Sequence, residues 1–145
     1  MSNINVRIKL VEGAIEPKYQ TIGSSDCDLF SIEDVVIECD RTKLVDTGVI
    51  VEIPEGYEAQ IRPRSGLALK HRVAVLNTPG TVDNDYRSTI KVILINHDLH
   101  NDFLIKKGDR IAQMVFVPVV QATFEYCDKL TETVRGGGGF GSTGV

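Results

Sequence analysis

Apolar residues recur at every second position through much of the chain, and this period of two most constrains what it can fold into. Ile4, Val6, Ile8 and Leu10 alternate with polar residues, as a half-buried strand requires. Further strands are predicted over 44–53, 57–61, 73–76, 90–96, 103–105 and 111–120. Pro54-Glu55-Gly56, Pro79-Gly80 and Lys107-Gly108-Asp109 punctuate them as turns. Strands this short and this regularly spaced predict an all-β sandwich or barrel. The run from Ile90 to Ile95 is apolar on both faces, which suits a central strand or one lying against another subunit. Only residues 65–70 read as a helix, with Ser65 able to cap it.

Composition narrows the function. At 145 residues the chain makes one domain with a real core and no need of staples. A net charge of −4 argues against general nucleic-acid binding, so an anionic ligand must be held by a few local Arg and Lys groups. Cys27, Cys39 and Cys127 are odd in number and lack C-x-x-C spacing, and they read as reduced thiols. No cationic leader and no apolar run near the length of a membrane span is seen. A cytoplasmic protein with no membrane and no nucleic-acid partner is expected.

The β pattern stops near Leu130, dividing the chain into a β-barrel domain over 1–130 and an arm over 131–145. Arg135 to Val145 holds six glycines around one large apolar side chain, Phe140, so it cannot build a core. Its cheapest state is a mobile strap. A strap that orders would offer bare N–H groups, the Arg135 guanidinium, the Ser142 and Thr143 hydroxyls and a ring to cap a base. That inventory suits a nucleotide; a Gly-rich tail without a role is the plainer reading.

Two other segments carry chemistry. Arg64, Ser65 and Gly66 stand where the short helix begins, and unpaired N–H groups there favour an anion. A capped helix with a surface ion pair explains them equally well. From Asn77 to Arg87, Asn77 and the turn at Gly80 can present amide groups to a base. Asp83 and Asp85, two apart on an extended segment, would share a face and could orient a water or a metal. Turns select the same residue types for their own reasons. Of Asp109, Arg110 and Gln113, the first two read as a structural pair and Gln113 as the better ligand. His97 and His100 have H-x-x-H spacing in a polar loop and read as exposed.

Taken together, five ordered segments resemble the homotrimeric deoxyuridine triphosphatase (dUTPase) family. They are Ser24 to Ser31, Arg62 to Ala68, Asn77 to Arg87, Gly108 to Gln113, and Arg135 to Gly144. The resemblance implies a jelly-roll-like distorted β-barrel, assembled as a homotrimer with active sites at subunit interfaces, each closed by another subunit's arm. It implies hydrolysis of dUTP to dUMP and pyrophosphate by water attack on the α-phosphate, which limits uracil in DNA and supplies dUMP for thymidylate synthesis. By the same resemblance Asn77 and Gly80 would read uracil, and Tyr86 would lie against the deoxyribose. Asp83 would be the catalytic group, holding the 3′-hydroxyl and orienting the attacking water. Arg64, Ser65, Gly66 and Gln113 would take the phosphates, joined by Arg135, Gly141, Ser142 and Thr143 of the arm, while Phe140 would stack on the base. Asp28 would reach Mg²⁺ through water. Asp26 and Ser88 stand where the family usually has glycine. A related fold deaminates dCTP, but no acidic residue lies between Asp85 and Asp98 to act as its base, and Ile93 falls at that place. A nucleotide-binding regulator without turnover is the other reading.

Overall fold

The computed structural model describes residues 3–144. Met1, Ser2 and Val145, at the outer limits of the predicted barrel and arm, lie outside the described residues. The elements in chain order are β1 (Arg7–Leu10), β2 (Cys27–Phe30), β3 (Val35–Ile37), β4 (Thr42–Asp46), β5 (Val49–Glu52), β6 (Tyr57–Arg62), α1 (Ser65–His71), β7 (Val73–Val75), β8 (Gly80–Val82), β9 (Lys91–Asn96), β10 (Phe103–Ile105) and β11 (Arg110–Pro118). They pair antiparallel into a four-stranded sheet β2-β11-β6-β8, a three-stranded sheet β4-β9-β7, and the two-stranded pairs β1-β5 and β10-β3. The all-β fold expected from the alternation is the fold observed. No helix among the described residues is long and apolar enough to cross a membrane.

The sheets close on one apolar core. Leu29, Ile37, Val45, Val49, Leu94, Ile105 and Ile111 are each removed from water, every one contributing about 1.5–3 kcal/mol of burial. The strand predicted over 44–53 is two strands, β4 and β5. Gly48 breaks it, at φ 68°, where an added Cβ would lie 2.6 Å from Cγ2 of Val11. That positive φ and close approach admit only glycine, and the chain turns there from one sheet into another. β9 is the central strand of its sheet, flanked by β4 and β7. Its Val92, Leu94 and Asn96 point into the core, while Ile93 and Ile95 stay half-exposed.

Three elements escaped the alternation. β2 is buried on both faces at Cys27, Asp28 and Leu29, so nothing in it alternates. β3 and β8 are three residues each. α1 has no side-chain cap: Arg64 is the N-cap residue, and Ser65 begins the helix instead of capping it. β11 ends at Pro118, and from Val120 to Leu130 the chain has no regular secondary structure and is exposed, Phe124, Tyr126 and Leu130 included.

One buried polar residue ties the sheets together. Asn96 is fully buried; its Nδ2 donates to the carbonyls of Ile37 (3.1 Å) and Asn101 (2.8 Å), and its Oδ1 accepts from Asp98 N (2.9 Å). Truncation would strand two carbonyls inside the protein. Asn96→Ala is expected to lower stability by about 3 kcal/mol, read from the shift of the urea-unfolding midpoint.

Candidate functional site

The predicted residues fall into two groups. The first lines a cleft of about 340 Å³ between β8 and β9, bounded by Asn77, Gly80, Asp83 and Tyr86, with Ile61, Val75 and Ile90 among its apolar walls. β8 is the outer strand of its sheet, so one row of its backbone N–H and C=O groups has no strand partner. Gly80 is buried in it, and a Cβ there would sit 3.3 Å from Ile61 Cβ and 3.4 Å from Asn77 Nδ2. The glycine thus lets the Asn77 amide lie over the strand edge. Tyr86 stands at the rim, its hydroxyl donating to the Thr89 carbonyl at 3.1 Å. This bond fixes the ring and uses its donor.

Asp83 and Asp85 do not share a face. Tyr86 N donates to Asp83 O (3.2 Å), a turn through Asn84 and Asp85 that cancels the alternation of an extended chain. Asp83 faces the cleft; Asp85 lines a separate depression with Glu55, Asn84 and Arg87.

The second group surrounds Asp28. Gln113 on β11 is directly opposite Asp28 on β2, and Arg62 on β6 is opposite Gln113. Asp28 is 2 % exposed. Its Oδ2 accepts from Gln20 Nε2 (2.8 Å) and Arg110 Nη1 (3.2 Å), and Arg64 Nε lies 3.7 Å from Oδ1. Burying a carboxylate without such partners would be costly. Gln113 Nε2 donates in turn to Asp26 Oδ1 at 2.7 Å. Ser65 and Gly66 are exposed at the start of α1, whose first-turn N–H groups have no capping side chain.

Arg110, Gln20 and Asp26 were not singled out by sequence reasoning as members of this group. The expected Asp109–Arg110 pair is absent among the described residues: Asp109 accepts from Lys106 N (2.8 Å), and Arg110 turns to Asp28. The cause is a β-bulge between Arg110 and Ala112. Arg110 and Gln113 are three apart, so strict alternation would set them on opposite faces. The extra residue returns Arg110 to the Asp28 face, opposite Phe30.

No group of three or more His, Cys, Asp or Glu among the described residues could hold a metal directly. Asp28 Oδ1 accepts no hydrogen bond within the described chain and retains capacity for a water, so the residues present fit outer-sphere contact with a cation and not direct ligation.

The arm residues lie away from both groups. Arg135 Nε donates to Gly138 O (2.8 Å), Ser142 N to Gly139 O (3.1 Å), and Gly144 N to Gly141 O (3.0 Å), a series of local turns. Phe140, at φ 52°, is fully exposed, as is Thr143.

Residues 12–144 match the dUTPase family model. The chain belongs to the dUTPase family. It is 57 % identical over 136 residues to the deoxyuridine 5′-triphosphate nucleotidohydrolase of Nautilia profundicola, covering 94 % of this chain and 95 % of that one. The enzyme of that name from Clostridioides difficile is 51 % identical over 144 residues, covering 99 % of both. Among solved structures, the dUTPase of Staphylococcus bacteriophage 80alpha with dUPNHPP superposes with a TM-score of 0.91 at 26 % identity, covering 99 % of this chain and 100 % of that one.

The buried ion pair offers a test of the second group. Asp28→Asn keeps the side-chain shape but leaves Arg110 and Arg64 without their counter-charge. A loss of about 2 kcal/mol is expected, and a double-mutant cycle with Arg110→Met should recover about 1 kcal/mol of coupling, measured by urea denaturation.

Proposed function

We propose that this chain hydrolyses dUTP to dUMP and pyrophosphate, and that it does so as a homotrimer whose sites combine both groups of residues across subunit boundaries. The observation that carries the reading is the cleft at the β8 edge: strand-edge amides, Asn77 and Gly80 beside a carboxylate and a fixed tyrosine, in a volume that fits a nucleoside. The relatives' shared name supplies the substrate. The cleft takes in neither Arg64 nor Gln113 of its own chain, which is the reason to complete it with a neighbour's phosphate-binding group.

Asn77 and the free edge at Gly80 pair with uracil as a base would. A strand edge this close leaves no room for thymine's methyl group, and cytosine presents the wrong donors, so buried groups would go unpaired. Tyr86 packs on the deoxyribose and excludes a 2′-hydroxyl. Asp83 accepts from the 3′-hydroxyl and takes a proton from the water whose oxygen bonds to the α-phosphorus. The bond from that phosphorus to the bridging oxygen breaks, and its electron pair leaves with pyrophosphate.

Arg64, Ser65, Gly66 and Gln113 bind the triphosphate. Arg135, Gly141, Ser142 and Thr143 of an incoming arm complete its hydrogen bonds, and Phe140 covers the base. Asp28 would hold a magnesium ion through water, and that ion would supply neutralisation of the triphosphate's charge. Arm closure expels water, and its glycines let it reopen for product. The free thiols of Cys27, Cys39 and Cys127 suit the reducing cytoplasm, where the substrate arises.

The deciding experiment incubates the protein with dUTP, dCTP, dTTP and UTP in magnesium and identifies base and pyrophosphate in each product. Pyrophosphate from dUTP alone, with uracil intact, is expected. A uracil nucleotide formed from dCTP would contradict the reading, as would no turnover at all. Asp83→Asn is expected to cut kcat by at least about 100-fold while leaving nucleotide affinity near its original value in a binding titration.

A further inference from the structure

We propose that Asp46, acting through Thr89, is a positioning residue that holds the Tyr86 ring in place and so sets a preference for deoxyribose over ribose; this rests on the reading of the β8–β9 cleft as a dUTP site. Neither Asp46 nor Thr89 falls within the sequence segments that suggested the site. Asp46 is the last residue of β4, and its register partner is Lys91, the first residue of the strand that follows the Tyr86 loop.

Most bonds of that loop close it on itself. Tyr86 N donates to Asp83 O at 3.2 Å, and the Arg87 guanidinium donates to the carbonyls of Asn84 and Tyr86. Arg87 and Ser88 are exposed, and the buried framework resumes at Ile90. Thr89 stands between them, half-buried, and its carbonyl takes the Tyr86 hydroxyl at 3.1 Å. That carbonyl belongs to the peptide whose N–H, on Ile90, donates to Val49 O at 2.7 Å. One hydrogen bond fixes the place of a peptide but not its tilt. The Thr89 hydroxyl supplies a second point, donating to Asp46 Oδ2 at 3.1 Å.

Asp46 is itself firmly held. Its Oδ1 accepts from Gly48 N at 2.8 Å, its N–H donates to Glu33 Oε1 at 3.3 Å, and Lys91 Nζ lies 4.0 Å from Oδ2. The chain of contacts therefore runs from a fixed carboxylate through Thr89 to the ring at the rim of the cleft. Position is what such a ring contributes. Apolar contact alone rejects an added hydroxyl only weakly, so the wall must not yield. A ring able to shift by about the length of one bond would admit a 2′-hydroxyl, whereas deoxyribose fits in either case.

The test is turnover of dUTP and of UTP by the full-length protein and its variants, read as the ratio of the two kcat/KM values. Both substrates are measured on one preparation, so any misfolded fraction cancels from the ratio. Thr89→Val keeps the side-chain shape and the carbonyl but removes the tether. It is expected to lower the ratio at least about fivefold, through a rise in kcat/KM for UTP. Asp46→Ala should do the same. Asp46→Asn can still bridge Gly48 N and Thr89, its amide nitrogen donating to the threonine oxygen, and should keep most of the wild-type ratio. An unchanged ratio in Thr89→Val would overturn the proposal. A ratio as low in Asp46→Asn as in Asp46→Ala would overturn it too, because the charge beside Lys91 would then be responsible and not the bridge. In a Tyr86→Phe background the ring no longer bonds Thr89, and Thr89→Val should lower the ratio no further. An undiminished effect there would reveal a route that bypasses Tyr86 and would equally overturn the proposal. Wild-type protein that turns over neither nucleotide would refute the dUTP reading itself, and this inference with it.

Discussion

Strand β11 is the constraint on which the rest of the molecule depends. It pairs with β2 on one flank and β6 on the other, and Ala112 and Met114, which share one face, are buried in the core. Burial of that face fixes its register, because a slip by one residue would turn Ala112 and Met114 out of the core and the polar Gln113 into it. The register in turn sets Gln113 opposite Asp28 and next to Arg62. The bulge before Ala112 then brings Arg110 onto the same face. Packing and the proposed function therefore depend on the same hydrogen-bond ladder: the core chooses the register, and the register assembles the face proposed to bind phosphate.

Much of this was legible in the amino-acid pattern, and the illegible parts have physical causes. Alternation revealed β6, β7, β9, β10 and β11 because each has one wetter and one drier face, or lies centrally with apolar residues on both; it also found β1, although all four residues of that strand are exposed and not half-buried as expected. It could not reveal β2, where Asp28 is buried as deeply as Leu29 and is tolerated only through long-range partners. It merged β4 and β5, because apolar residues resume directly after Asp46-Thr47-Gly48 with no proline to mark the turn. The candidate residues were recognisable by type, since Arg, Ser, Asn, Asp and Gln in turns are where ligand chemistry gathers. Their grouping was not. Whether Arg110 faces Asp109 or Asp28 depends on one bulged residue, and whether Asp83 faces Asp85 depends on one turn at Asn84.

The single chain leaves its surface unfinished in a way that matches a shared site. Phe124, Tyr126, Leu130, Val134 and Phe140, all beyond β11, are strongly exposed, far more apolar surface than a solvated tail needs. Leu44 on β4 and its register partner Ile93 on β9 present further apolar area beside the cleft. An arm with six glycines after Val134 loses much entropy on ordering, so on the proposed reading it closes only when a ligand supplies the contacts. Catalysis on this account is enclosure: the β framework holds the base and phosphates rigidly, and the arm excludes water only while substrate is present.

Complementation between two disabled chains tests that shared site most directly. Asp83→Asn retains the arm, and a chain ended after Val134 retains Asp83; each alone is expected to have less than about a tenth of normal dUTP turnover. Unfolded together and refolded as a mixture, they should form some sites with an intact Asp83 from one chain and an intact arm from another. Turnover well above that of either variant refolded alone is the predicted result. A mixture no more active than its parts would show that each chain must close its own site, and would contradict the account.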